Sequence, residues 1–116
     1  MITRIIRAPI GENPIRVYTI FNLEMANDAV FEREKLESVF LDPLVERIVP
    51  GMPSGKFLEV MYHNGVVDPA QEAILAACAQ KGIKVEAAKV GHRYYGRARR
   101  GVFVNKLVQV TFTKEP

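Results

Sequence analysis

The nineteen residues from 64 to 82, NGVVDPAQEAILAACAQKG, constrain the fold more than any other part of the chain. Asp68 is a helix-capping residue, Pro69 suits the first helical position, and Gln71 stands three residues after the cap, where a capping box places it. Gly82 can take the left-handed conformation that ends a helix after Lys81. Ala70, Ile74, Ala77 and Cys78 share a face whose small side chains allow close approach to a sheet. The flanking segments supply that sheet: KFLEVMY (56–62), with Leu58, Val60 and Tyr62 on one face, and IKVEAAKV (83–90) have strand composition. Cys78 belongs to the buried face, since it lies in the last turns, away from the cationic or N-terminal setting that activates a thiol.

The first half follows the same logic. TRIIRA (3–8) predicts a strand, APIGENP a turn, and IRVYTIF (15–21) a strand with Ile15, Val17, Thr19 and Phe21 on one side. From Asp28, the expected N-cap, the period becomes helical, and Phe31, Leu36, Val39 and Phe40 share a face. LVERIV (44–49) predicts a short strand, PGMPSG (50–55) a connector, and LVQVTFT (107–113) a final strand. From residue 15 the order is βαββαβ. The expectation is an α+β, ferredoxin-like sandwich over a single domain, 1–116, with two helices on one face of an antiparallel sheet and extra strands from the termini. Its two βα halves meet near residues 50–55 and echo one another in element order, with no detectable sequence repeat.

Composition narrows the function. One cysteine among 116 residues cannot form an internal disulfide, and with only two histidines it excludes the common Cys/His metal cages. Ala73 to Ala79, the longest apolar run, is far short of the ~20 residues of a membrane helix, and Arg4 and Arg7 interrupt the first aliphatics. The expected location is the cytoplasm. His63 and His92 lie in or beside turns without a flanking acid or thiol, and neither a phosphate-binding nor a dinucleotide motif occurs. No catalytic residue, cofactor or metal ligand is assigned.

Charge is distributed unevenly. Residues 24–46 carry seven acidic and two basic side chains, whereas residues 87–114 carry seven Lys or Arg and no acid. Such polarity suits a charged partner or a second copy of the chain. The segment KVGHRYYGRARRG (89–101) offers interaction candidates: Arg93, Tyr94, Tyr95, Arg97, Arg99 and Arg100 could grip phosphates and stack bases, as an RNA- or single-strand-binding domain does. Against nucleic acid, Phe103 in RRGVFVN is out of step with the aromatic RNA-recognition pattern. An acidic protein surface fits the same cations.

Two segments together resemble the PurS family. Gly65, Val66, Asp68 and Pro69 match its Gly-Val-x-Asp-Pro turn, and Val90, Gly91 and Arg93 lie close to its strand ending. Leu41, Asp42, Pro43, Val45 and Glu46 match a second hallmark that leads from a helix into a strand. The resemblance spans roughly residues 36–96; His63 and Asn64 stand where the family usually has Lys-Pro, and Gln71 where glycine is frequent. It implies a PurS-like fold and a structural role for Asp42, Pro43, Glu46, Gly65, Asp68, Pro69 and Gly91. It further implies a non-catalytic, homo-oligomeric bridge between the glutaminase and synthetase parts of phosphoribosylformylglycinamidine synthase, an ATP-dependent glutamine amidoligase of purine biosynthesis.

Overall fold

A computed structural model describes residues 1–114. The order is β1 (Ile2–Pro9), β2 (Val17–Met25), α1 (Arg33–Ser38), β3 (Glu46–Ile48), β4 (Phe57–Tyr62), α2 (Gln71–Gln80), β5 (Val85–Tyr95), a 3₁₀ turn (Gly96–Arg99) and β6 (Gln109–Lys114). The strands form one antiparallel sheet in the order β3-β1-β2-β5-β4-β6, curled into an open half-barrel.

This corrects the ferredoxin-like, PurS-like βαββαβ expectation. In that sandwich the helices are crossovers, but here α2 is an insertion between two antiparallel neighbours, β4 and β5. The first helix is also far shorter than its apolar periodicity suggests. Six residues span about 9 Å, too little to carry the chain back across a sheet. Asp28, the expected cap, instead pairs with Lys84 Nζ at 2.8 Å, and the Ala26 N–H donates to the Lys84 carbonyl. Those contacts hold residues 26–28 against the start of β5 and leave helical geometry to begin only after Glu32. With both helices small, the chain is mostly β.

β1 and β2 form a hairpin, and β2 pairs with β5 along its whole length, from Val17↔Tyr94 to Met25↔Val85. Alternation turns Phe21, Leu23 and Met25 to one face. There they meet Leu36 and Phe40 from the α1 region and Ile74, Cys78 and Ile83 from the α2 region. The Phe21 and Phe40 rings lie 4.5 Å apart. On the opposite face a smaller cluster of Ile6, Ala8 and Tyr18 packs with Val49, Met52 and Tyr95. No helix among the described residues is long and apolar enough to cross a membrane.

The ladders reveal a repeat that reading along the chain missed. One row of facing residues crosses all six strands: Ile48, Arg7, Thr19, His92, Val60, Thr111. A pseudo-twofold between Thr19 and His92 exchanges β2 with β5, β1 with β4, and β3 with β6. The edge strands are entered by the same turn. VFLDPLVE (39–46) opens β3 and VFVNKLVQ (102–109) opens β6. In the first, the Leu44 N–H donates to Asp42 Oδ1, the Asp42 N–H to Glu46 Oε1, and the Glu46 N–H to the Asp42 carbonyl. Asn105, Leu107 and Gln109 make the same three bonds in the second.

Leu23, fully buried between the helices and the sheet, tests this core. Leu23→Ala should cost about 2–5 kcal/mol, read as a lower urea midpoint at unchanged slope.

Candidate functional site

The second half of the sheet holds most of the residues singled out by sequence. β5 outruns β4: their ladder covers only Phe57↔Tyr95 to Val60↔His92. The earlier amides of β5 on that side therefore need other acceptors, because a buried unpaired N–H is costly. The turn and helix of residues 65–80 supply them. The Val90 N–H donates to Asp68 Oδ2 at 2.8 Å, and the Ala88 N–H to Gln71 Oε1 at 3.0 Å. Asp68 is only 4% exposed, and its other oxygen accepts from the Ala70 N–H. Gln71 thus forms no capping box; its side chain continues the ladder. Lys89 Nζ adds bonds to the His63 carbonyl and Asn64 Oδ1.

The other motif residues have local roles. Gly65 stands at φ +86° in the turn closed by the Val66 N–H on the His63 carbonyl, a conformation that disfavours side chains. Pro69 follows the buried carboxylate but precedes the first helical residue, Gln71. Pro43 sits exposed in the Asp42 turn, and Glu46 carries the Arg7 ion pair at 2.7 Å. Gly91 has an ordinary φ, and a β-carbon there would meet Val60 O and Met61 at normal contact distance. Nothing steric requires glycine at that position.

The six basic and aromatic candidates do not form one surface. Arg93 is bonded to Glu59 at 2.7 Å and stacked 3.9 Å over the Phe57 ring, nearly buried. Adjacent in a strand, Tyr94 and Tyr95 point to opposite faces. The Tyr95 hydroxyl donates to the Pro53 carbonyl, and its ring packs edge-on against Tyr18. Tyr94 instead lies beside His92. Arg97, Arg99 and Arg100 remain on the 3₁₀ turn and its end, Arg97 and Arg100 exposed and Arg99 half-buried. A platform of two coplanar tyrosines for stacking bases is therefore not formed.

What the structure does bring together is a cleft of about 320 Å³ in the half-barrel, between the Asp68 turn and the 102–103 segment, lined by Val60, Tyr62, Val90, His92, Tyr94 and Phe103. Its origin follows from the pseudo-symmetry. In the first half Arg7 donates to the Phe40 carbonyl at 2.9 Å while pairing with Glu46, and Leu36 anchors α1 in the core. Phe40 is accordingly 5% exposed. The matching positions of the second half are Val60, Gln109 and Arg99, which can neither grip that carbonyl nor bury a helix. Phe103, the counterpart of Phe40, is 86% exposed, and the space beside Tyr94, the counterpart of Phe21, stays open.

Burial lowers the pKa of His92 below its ordinary 6.5, the Arg7 charge lowers it further, and Asp68 opposes both. Burial likewise raises the Cys78 thiol above its usual value, so this cysteine is an inert core residue. Among the described residues no group of three or more His, Cys, Asp or Glu could hold a metal ion.

The exposed apolar side chains concentrate at the two sheet rims. Ile10, Leu44 and Val45 lie at the β3 side, and Phe103, Leu107 and Phe112 at or before β6. Sequence reasoning missed this rim because Phe103 and Leu107 carry no recognisable chemistry alone; the match of 102–109 to 39–46 was the available signal. Comparisons with family models, curated proteins and solved structures find no match to this chain.

Two measurements follow. Asp68→Ala leaves the Val90 N–H unpaired and should destabilise by about 1–3 kcal/mol, with loss of amide-exchange protection at Val90 first. For His92, a folded pKa below the unfolded one means the unfolded chain binds the proton more readily, so stability falls as pH drops through 6.5. Urea midpoints at pH 7.5 and 5.5 should differ less in His92→Gln than in the natural chain.

Proposed function

We propose that this chain is a non-catalytic docking module that assembles other polypeptides, engaging them chiefly along the β6 rim. The observation that carries the reading is the exposure of Phe103, Leu107 and Phe112 at or before this edge strand, with the exposed cation Lys106 adjoining Leu107. Exposed apolar anchors rimmed by polar side chains mark protein-binding patches. The turns around Asp42 and Asp68 have rigid structural duties, so the residues that carry the family resemblance shape a scaffold.

In the terms of that resemblance, the module bridges the glutaminase and synthetase parts of phosphoribosylformylglycinamidine synthase in the cytoplasm. The likeness over residues 36–96 and the bipolar charge support this assignment. Co-expression with those two polypeptides tests it: all three should elute together, and glutamine-dependent activity should fall when this chain is withheld. Separate elution with full activity in its absence ends the assignment.

A further inference from the structure

We infer that the cavity beside the β1–β2 loop is a binding site for a free α-amino acid with an apolar side chain: Arg47 and the Tyr18 hydroxyl take its carboxylate, and Glu12 takes its ammonium. The inference is independent of the docking reading and concerns the other half of the sheet.

Residues 10–15 of that loop, Pro53 of the connector, Tyr18 of β2 and Arg47 of β3 wall a cavity of about 610 Å³. Such a volume suits a small organic molecule. Its walls are tied down. The Ile10 N–H donates to the Val45 carbonyl at 2.9 Å, the Arg16 N–H to Glu12 Oε1 at 2.9 Å, and the Tyr95 hydroxyl to the Pro53 carbonyl at 2.7 Å. A site already fixed at three points gives up little freedom when a ligand arrives.

Tyr18 is the group that points to a ligand. It is only 6% exposed, and its ring packs edge-on against Tyr95. Its hydroxyl makes no hydrogen bond among the described residues, although a buried hydroxyl ordinarily has a partner. No fully buried side-chain polar atom among those residues lacks a partner, so this oxygen is open to the cavity that Tyr18 lines. Burial, and then Tyr95, raise the Tyr18 pKa above its ordinary 10.0, with Arg47 opposing and Glu12 adding to the rise. The hydroxyl therefore keeps its proton and can donate it to an oxyanion.

Arg47 stands opposite Ala8 in the β1–β3 ladder, and Ala8 packs with Tyr18. The alanine methyl is too short to wall the guanidinium off from the phenol. Among the described residues no ion pair engages Arg47 or Glu12, so both charges line one cavity without pairing with each other.

Charges of both signs decide the class of ligand. A guanidinium presents a planar fork that matches a carboxylate. Glu12 keeps one oxygen for an ammonium, and Ile10, Pro14 and Ile15 supply apolar wall. A phosphate-rich ligand would bring its further charge against Glu12, which electrostatic complementarity opposes. The duplication does not repeat the site: the matching positions of the second half, Gly91 for Tyr18 and Val110 for Arg47, carry neither hydroxyl nor charge.

The probe is L-phenylalanine titrated into the isotope-labelled full chain, with its amide and its N-acetyl derivative each removing one charge. Amide shifts should move and saturate at Gly11, Glu12, Tyr18 and Arg47. Affinity should fall roughly tenfold or more for each derivative, and in Arg47→Ala, Tyr18→Phe and Glu12→Gln. Glu12→Gln keeps an oxygen for the Arg16 N–H and Tyr18→Phe keeps the ring, so exchange protection in β1 and β2 should match the natural chain. In Glu12→Gln the penalty for N-acetylation should vanish, which a merely structural Glu12 would not produce.

Absent saturation, shifts confined to another surface, or an amide that binds as tightly as the free acid would each overturn the inference. Equal affinity for the N-acetyl form would make the cavity a general carboxylate pocket and overturn the amino-acid class, as would tighter binding of inorganic phosphate. Arg47 is exposed, so Arg47→Ala tests the carboxylate contact even where Tyr18→Phe loosens the core; unchanged affinity in Arg47→Ala also overturns the inference.

Discussion

The antiparallel ladder between β2 and β5 is the constraint on which the remaining architecture depends. It joins residues from two separate halves of the chain along the full length of β2, and each half then builds outward: β1 and β3 on one side, β4 and β6 on the other. Most of the apolar sheet residues that α1 and α2 cover, Phe21, Leu23, Met25 and Ala88, lie on the two strands of this seam, and Ile5 joins them from β1. Loss of register there would turn this set to the opposite face at a stroke. The helices add cover and do not direct the topology.

Much of the local structure was legible in the sequence. The strand around 17–21, the strand of 56–62 and the helix centred on Ile74 stand where alternation and punctuation place them. Arrangement was not legible, because strand order depends on which edges meet, and periodicity is silent about that. Residues 28–40 show the limit clearly. Their apolar spacing is helical, yet the Ala26 N–H bonds the Lys84 carbonyl, Asp28 faces Lys84 in place of capping, and the helix begins only after Glu32. Gln71 teaches the same lesson on a smaller scale: its spacing from Asp68 suits a capping box, but the unpaired amide of Ala88 is the stronger demand.

The site was legible only in part. Arg93, Tyr94 and Tyr95 are consecutive and suggested one surface, whereas strand alternation sends them to different faces and a buried carboxylate, Glu59, takes the arginine. The segments 39–46 and 102–109 share four identical residues, and they escaped notice because their surroundings differ: a helix precedes one and an arginine-rich turn the other. Superposed ladders make the kinship plain, since Asp42 and Asn105 make the same bonds.

The two ends of the sheet are related but unequal. β3 has three residues and its entry is clamped by Arg7, while β6 has six and its entry is unclamped. A molecule with two equally open margins could stack end on end into fibres. With one margin stunted, the duplicated design lacks the second open margin that such stacking needs.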